Sequence, residues 1–362
     1  MHRFAIIAML LTAFVLGARA QVQYTLMVFA SHCNIISGCF DIPVFTEGYV
    51  GVSFFFVLSG FVISYSYDER FRRGSTSARE FWVARIARIY PLHCLMLLVA
   101  AALGTCTLAN GLLYWVKHFV ANLFLCQAYV PYSEWFFSFN SPSWSLCCEQ
   151  FFYLCFPFIV PLLRHPRRLY LLFAICAVAV VVGMHFTPPA IEKGVWYVNP
   201  LTRFPDFLLG MIVYVCYRRF APAVGSMRWG TWIEVISLSL LATFYLLAPH
   251  IGQVYRYSCY YWFPIAGIIF VFSLQQGHLS RLLSHRWLVL GGEISFGFYL
   301  IHHLLFRVYV EVEHILPFAL SPYVAVLLLL LLTLLLSAAS YYCFERPMNK
   351  LIKGTLKEKM TN

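Results

Sequence analysis

Runs of about twenty predominantly apolar residues recur along the chain, and short polar segments separate them. A helical run of this length spans the hydrocarbon core of a bilayer. The 362 residues are 61% hydrophobic and 11% charged, and a water-soluble domain has no means of covering that much apolar surface. We therefore predict an all-α, polytopic integral membrane protein with about ten transmembrane helices. The predicted spans are 14–36, 49–67, 86–106, 143–163, 168–186, 201–217, 231–248, 258–275, 287–308 and 322–344.

The basic residues indicate which ends of these spans face the cytoplasm, because cytoplasmic loops carry an excess of Lys and Arg. Their distribution predicts that both termini are cytoplasmic and that 345–362 is a basic tail near lipid headgroups. Segment 111–140 is expected outside, as an interfacial or re-entrant piece. The net charge of +11 forms no continuous stripe, so we exclude nucleic acid as a partner. Nineteen of the 26 Lys and Arg residues fall within 67–90, 164–168, 217–230, 276–286 and 345–362.

Residues 1–20 allow two interpretations. A basic start, the apolar run Phe4–Gly17 and the small-residue site Ala18–Ala20 are typical of a cleaved signal peptide. The alternative is one long or kinked first helix that is not cleaved. We prefer the second interpretation, because the remaining spans then satisfy the charge rule. We find no soluble domain or repeat, so residues 1–362 are predicted to form one membrane domain.

Five histidines lie within predicted spans, and three of them, His32, His302 and His303, are the ones that bear on the chemistry. An ionisable side chain at membrane depth is costly and usually functional, which makes His32 in the first span a candidate proton acceptor. The alternative role for such a histidine is a hydrogen bond that links helices. His302 in the ninth span is a second candidate, and the neighbouring His303 is interpreted as polar filling.

Arg85 and Arg88 lie three residues apart at the start of the third span and therefore share a helix face. Guanidinium groups bind phosphate in a bidentate manner. The pair is either a clamp for a phosphate-bearing carrier such as coenzyme A or an anchor to lipid phosphates.

The second span opens with the glycine-rich segment Gly48–Phe61. Small residues, among them Ser59 and Gly60, allow helices to approach closely, and packing explains most of this pattern. A secondary hypothesis is a narrow acyl slot beside Ser59 and Gly60.

The fourth span begins with Ser141–Tyr153, which contains Trp144, Ser145 and Glu149. Ser145 and Glu149 are four residues apart and share a face. A glutamate one turn into a membrane helix is expensive. It is expected to bind an acceptor hydroxyl or to brace a histidine, whereas the alternative is a carboxylate that offsets the helix dipole.

Together these segments resemble the acyltransferase 3 family of membrane O-acyltransferases. Three later segments extend the resemblance in the family's order, so that it covers residues 24 to 353. They are Arg203–Gly210, Leu290–His302 and Phe344–Pro347.

The resemblance implies transfer of an acyl group, commonly acetyl, from cytoplasmic acyl-CoA to a hydroxyl of a cell-envelope glycan, lipid-linked sugar or small molecule. Acyl-CoA is a co-substrate, and no metal or permanently bound cofactor is expected. A bacterial inner membrane is the family's usual location. His32 matches the catalytic histidine, and the paired arginines match the family's RxxR pair. Glu149 is expected to be a second catalytic residue, on the acceptor side, whereas Trp144, Ser145, Tyr153 and His302 are expected to support the reaction.

One position departs from the family pattern, because Gln21 stands where a basic residue is usual. This departure suggests one alternative, that the protein is an inactive sensor or scaffold instead of an enzyme.

The principal alternative to the enzyme is a proton-coupled transporter or flippase for a polar or lipid-linked substrate, with His32 and Glu149 as a proton relay.

Overall fold

The computed structural model describes residues 26, 28–33, 36, 47–106, 108–223, 228–315 and 320–361. Gln21 and the signal-like segment 1–20 lie outside the described residues. Within the described part all regular structure is helical, and residues 28–32 are helical as well. The helices of 12 residues or more are α1 (Tyr49–Arg72), α2 (Ala78–Ala102), α3 (Leu112–Leu123), α4 (Trp144–Ile159), α5 (Pro166–Phe186), α6 (Pro200–Phe220), α7 (Gly230–Leu247), α8 (Trp262–Ser273), α9 (Arg286–Val312), α10 (Pro322–Ser340) and α11 (Arg346–Thr361).

Shorter helical pieces connect these elements. The four-to-six-residue α-helices are Ser133–Phe136, Pro189–Glu192, Gln253–Arg256 and His278–Leu283. The 3₁₀ turns are Leu108–Asn110, Gln127–Tyr129, Ser141–Ser143, Val160–Arg164, Ala221–Ala223, Ala248–His250, Cys259–Tyr261 and Glu313–Ile315. Two π-helical segments are Lys193–Val198 and Tyr341–Glu345.

Six helical segments among the described residues are long and apolar enough to cross a membrane. The all-helical membrane fold is therefore confirmed, while the total of ten spans and the cytoplasmic termini stay predictions. The six are Tyr49–Arg72, Ala78–Ala102, Ser141–Arg164, Pro166–Phe186, Gly230–His250 and Pro322–Gly354.

Segment 111–140, expected to be interfacial or re-entrant, begins with α3, which is followed by short turns. Its polar side chains His118 and Asn122 are buried, whereas Leu112 and Val116 are exposed. This helix lies against α2, where the Nε2 atom of His93 is 2.8 Å from the carbonyl oxygen of Asn122.

Helices α1 and α6 cross in direct backbone contact. A Cβ atom on Gly60 would lie 2.0 Å from the carbonyl oxygen of Phe207, and one on Gly210 would lie 1.9 Å from that of Val57. Only glycine fits at these two positions, since real Cβ contacts are never so short. The close helix approach predicted for the glycine-rich span is present at Gly60.

A buried ion pair in α6 joins three parts of the fold. Arg203 and Asp206 are fully buried and lie 2.8 Å apart. Arg203 donates to the Ser53 hydroxyl of α1 at 2.8 Å, and Asp206 accepts from the Ser258 hydroxyl at 3.1 Å and from the indole of Trp262. Buried charges are tolerated when paired and hydrogen-bonded, so this motif holds α1, α6 and α8 together.

Candidate active site

Two cavities lie side by side where residues 28–32, α1, α4 and α9 meet. The first, which we call the arginine cavity, has a volume of about 140 Å³. The second, the histidine cavity, has a volume of about 510 Å³. Polar residues that line the arginine cavity are Ser59, Arg85, Arg88, Ser145, Glu149, Tyr153, Ser295 and Tyr299. The histidine cavity is lined by Ser31, His32, Tyr49, Trp144, Lys193, Tyr197, Gln253, Tyr257, Tyr299 and His303, among others.

Three residues line both cavities: Val28, Val52 and Tyr299. We call this shared boundary the neck. Its members come from the helical segment 28–32, from α1 and from α9. A molecule in one cavity is therefore separated from the other cavity by the thickness of single side chains.

His32 packs against both histidines of α9. Its Nδ1 atom lies 3.2 Å from the Nε2 atom of His302, and its ring stands edge-on to that of His303 with centroids 5.1 Å apart. His302 is fully buried behind His32. His303 lines the same cavity as His32, so it is part of the site rather than filling.

Backbone carbonyls determine where the two closely paired histidines carry their protons. The Nδ1 atom of His32 lies 2.9 Å from the carbonyl oxygen of Val28, and that of His302 lies 3.1 Å from the carbonyl oxygen of Phe298. A carbonyl only accepts, so each neutral ring carries its proton on Nδ1. The Nε2 atom of His32 then bears a lone pair, which is what a general base requires.

Arg85 lies among aromatic rings instead of beside a carboxylate. Its guanidinium carbon is 5.3, 5.8 and 5.7 Å from the ring centroids of Tyr67, Phe81 and Tyr153. One NH group donates to the Tyr67 hydroxyl at 3.1 Å. The buried Nε atom has no hydrogen-bond partner among the described residues, so part of the guanidinium's capacity to donate is unused.

Arg88 joins two of the sequence motifs. Its guanidinium lies 3.5 Å from a carboxylate oxygen of Glu345, which is 5% exposed. Its carbon lies 5.4 Å from the Phe296 ring centroid. Lys353 of α11 is within electrostatic range of both Arg85 and Arg88, which adds to the positive potential at this end of the arginine cavity.

Glu149 lines the arginine cavity together with Arg85 and Arg88, the residues predicted to bind the donor, and it does not line the cavity of His32. Successive turns of α4 carry Ser145, Glu149 and Tyr153 along the arginine cavity, and only Trp144 at the start of the helix reaches the histidine cavity. The Tyr153 hydroxyl donates to Glu149 at 2.7 Å. The sequence placed Glu149 on the correct face, but it did not indicate how far along α4 the two cavities divide.

The glycine-rich span contributes Ser59 but not Gly60 to a cavity. Ser59 lines the arginine cavity, whereas Gly60 faces α6 at the helix crossing. The acyl-slot hypothesis is therefore wrong for Gly60, because backbone of α6 occupies the space beside it.

Two of the lining residues that were not candidates from the sequence bear on the chemistry. Lys193 lies in the histidine cavity with its ammonium 5.0 Å from the Phe137 ring centroid, and Tyr299 lies at the neck. The available signal for Tyr299 was its spacing, since it precedes His302 and His303 by three and four residues and so shares their helix face. Lys193 carried no comparable signal.

A comparison with protein families gives one match over nearly the whole chain. The acyltransferase 3 family model, which describes an acyltransferase domain, matches residues 4–342. The chain is a member of the acyltransferase 3 family. Acyltransferase MdmB of Streptomyces mycarofaciens is 32% identical to this acyltransferase over 286 residues, which is 72% of this chain and 69% of MdmB.

A second curated relative is O-acetyltransferase OatA of Staphylococcus aureus. It is 23% identical over 307 residues, which is 79% of this acyltransferase and 49% of OatA, so the chain spans about half of that relative's length. No solved structure matches the chain significantly.

The family and the helices establish a multi-pass membrane acyltransferase that moves an acyl group other than an aminoacyl group. In this acyltransferase the two cavities offer complementary chemistry. Guanidinium groups in one bind anions, and an imidazole lone pair in the other can accept a proton. Among the described residues, no three His, Cys, Asp or Glu side chains form a group suited to a metal ion.

Proposed function

We propose that this acyltransferase transfers an acyl group, most simply acetyl, from acyl-CoA in the arginine cavity to a hydroxyl of an acceptor in the histidine cavity. The observation that carries the proposal is the neck: Val28, Val52 and Tyr299 line both cavities. A thioester at the neck is therefore accessible from the His32 side, while its carrier stays among the arginines. The proposed setting is a bacterial plasma membrane, in keeping with the bacterial relatives.

The donor is assigned to the arginine cavity by charge. The phosphates of coenzyme A need several cationic donors. Arg85 and Arg88 line this cavity, and Lys353 lies within electrostatic range of both. Glu149 acts as a positioning residue, because it accepts the hydrogen bond from Tyr153, whose ring lies against Arg85. An acetyl donor is supported by the name O-acetyltransferase carried by OatA.

The acceptor is assigned to the larger histidine cavity. Its wall includes the rings of Tyr49, Trp144, Tyr197 and Tyr257, and Tyr197 lies 4.6 Å from Trp144 and 5.4 Å from Tyr257 between centroids. Aromatic faces together with polar groups suit an acceptor with both apolar surface and hydroxyls. A cell-envelope carbohydrate, a lipid-linked sugar and a small hydroxylated molecule all meet this description.

The transfer is a substitution at the thioester carbonyl. The Nε2 atom of His32 takes the hydroxyl proton as the acceptor oxygen forms its bond to the carbonyl carbon. The carbon–sulfur bond then breaks, the thiolate leaves as coenzyme A, and the His32 imidazolium returns the proton to sulfur. The products are an ester and coenzyme A, with no net change of charge at His32.

Label transfer by purified protein in lipid nanodiscs tests the proposal. Acetyl-CoA with a radioactive acetyl group is supplied with three acceptor probes: a cell-wall glycan preparation, a lipid-linked oligosaccharide and octyl glucoside. We expect wild type to label at least one probe. His32→Ala should reduce labelling by about 10²–10⁴-fold, the usual contribution of a general base.

Equilibrium binding of coenzyme A distinguishes the role proposed for the arginine cavity from the role proposed for the histidine cavity. His32→Ala should bind coenzyme A normally, whereas Arg85→Gln should bind it weakly. His185→Ala is the matched control, because His185 is an exposed histidine of α5. Failure of wild type to label any probe would reject acyl transfer, and solute uptake driven by protons in its place would support a transporter. Full labelling by His32→Ala would remove His32 from the reaction.

A further inference from the structure

The acyl carbonyl needs a hydrogen-bond donor at the neck, because its oxygen becomes negatively charged when the acceptor oxygen adds to the carbon. Two of the three neck residues, Val28 and Val52, have apolar side chains. Tyr299 is the third, and its hydroxyl is the polar group that this boundary offers. Its ring also lies 6.0 Å from that of His302, between centroids.

We propose that Tyr299, at the neck where the two cavities meet, donates a hydrogen bond to the thioester carbonyl oxygen and stabilises the oxyanion during transfer. This inference rests on the proposed acyl transfer. It gives Tyr299 a catalytic role and makes no claim about the identity of the acceptor.

The local hydrogen bonds allow the Tyr299 hydroxyl to turn toward a substrate at little cost. It donates to the carbonyl oxygen of Pro142 at 3.1 Å. The Ser145 hydroxyl donates to the same carbonyl oxygen at 3.1 Å. A hydroxyl hydrogen rotates to suit its partner. When Tyr299 turns to the substrate, Ser145 still satisfies the Pro142 carbonyl, so no buried polar atom is left without a partner.

Helix α9 also sets the position of Tyr299 relative to the base. Tyr299 lies one turn before His302 and His303 on the same helix face. Through His302, this face contacts His32. The donor to the oxyanion and the support of the proton acceptor are therefore carried by one rigid element, which limits the reorganisation required at the moment of reaction.

Tyr299→Phe removes the hydroxyl and keeps the ring. We expect the single-turnover rate of acetyl transfer to fall by about 10²-fold, as for loss of one oxyanion donor, with unchanged affinity for coenzyme A. Tyr260→Phe is the matched control: its hydroxyl also donates to a backbone carbonyl, that of Phe244 at 2.8 Å, but it lines neither cavity. A rate for Tyr299→Phe within twofold of this control would overturn the inference.

A second variant covers the case in which Tyr299→Phe does not fold. Incorporation of 3-fluorotyrosine at position 299 keeps the bond to Pro142 and makes the phenol a stronger donor. The transfer rate should rise by about twofold through Brønsted dependence on donor acidity, and an unchanged rate would count against the role. Wild type and His32→Ala are measured in parallel. Absence of transfer by wild type rejects the proposed function itself, whereas normal transfer by Tyr299→Phe and none by His32→Ala rejects only the role of Tyr299.

Discussion

The Nδ1 atom of His32 lies 3.2 Å from the Nε2 atom of His302, although 270 positions separate the two residues in the chain. With both rings protonated on Nδ1, the lone pair of His302 faces the proton of His32. In the proposed reaction, His302 therefore supports the charge that His32 acquires when it accepts a proton. This arrangement is comparable to a carboxylate that orients a catalytic imidazole, except that the supporting group is neutral.

Replacement of His302 should slow acyl transfer without affecting the donor. His302→Ala is expected to lower the single-turnover rate by about 10- to 100-fold, a fraction of the full contribution of a general base. His302→Asn, which can still present an acceptor oxygen, should lose less. Affinity for coenzyme A should stay at the wild-type value in both. If His302→Ala transferred as fast as the exposed control His185→Ala, the support by His302 would be disproved.

The contact between Arg88 and Glu345 predicts that variants of this pair will differ in stability but share the same loss of coenzyme A affinity. Arg88→Gln leaves the nearly buried Glu345 carboxylate without its partner and should lower the free energy of unfolding by about 1–3 kcal/mol, below the value for a fully buried pair because Arg88 is one-third exposed. The double variant Arg88→Gln/Glu345→Gln should regain most of that stability. Both variants should bind coenzyme A about 10-fold more weakly, measured by equilibrium binding. Normal binding in the double variant would contradict the phosphate role of Arg88.

The crossing of α1 and α6 predicts opposite effects for two glycine replacements. Gly60→Ala places a Cβ against the Phe207 carbonyl and should destabilise the fold by about 1–3 kcal/mol, as overpacking does. Gly267→Ala in α8 meets no atom within 4 Å and should be neutral or stabilising by up to about 1 kcal/mol. Thermal unfolding in one detergent compares them directly. Equal melting temperatures would show that the two helices separate more easily than their contact indicates.

Lys193 provides a test of the acceptor assignment. It lines the histidine cavity beside Phe137 and does not line the arginine cavity. Lys193→Gln should raise the acceptor KM about threefold to tenfold, the loss of one hydrogen bond to a charged group, with unchanged affinity for coenzyme A. Arg85→Gln should show the reverse pattern. A change in coenzyme A affinity in Lys193→Gln would mean that the donor extends into the histidine cavity.

Local signals in the sequence were sufficient for many of the helices and for some of the residues that line the cavities, but not for how those residues are grouped. Apolar runs predicted helices that the structure contains at, for example, 201–217 and 322–344. Pairings over long separations follow from tertiary packing, and no local pattern encodes the contact of Arg88 with Glu345. The side on which Glu149 lies depends on where the neck cuts across α4, which periodicity does not specify.

The sequence also did not indicate which motif residues line the cavities and which only hold helices together. Arg203 and Gly60 belong to recognisable motifs, yet one completes a buried ion pair and the other permits a backbone contact. Conversely, His303 was interpreted as filling and lines the cavity beside His32. Helical spacing identifies which residues share a helix face. Whether those residues pack against another helix or line a cavity depends on the tertiary structure around that face.

The thin boundary at Val28, Val52 and Tyr299 has a consequence for how much the protein has to change shape during transfer. A carrier that must rock between inward- and outward-open shapes exposes its cargo to each compartment in turn. If donor and acceptor bind as proposed, the partition can stay in place, because the acyl group alone has to pass it while both of the bulky reactants remain in their own cavities. In the proposed reaction, cleavage of the thioester would then drive passage of the acyl group across this boundary without a transport cycle.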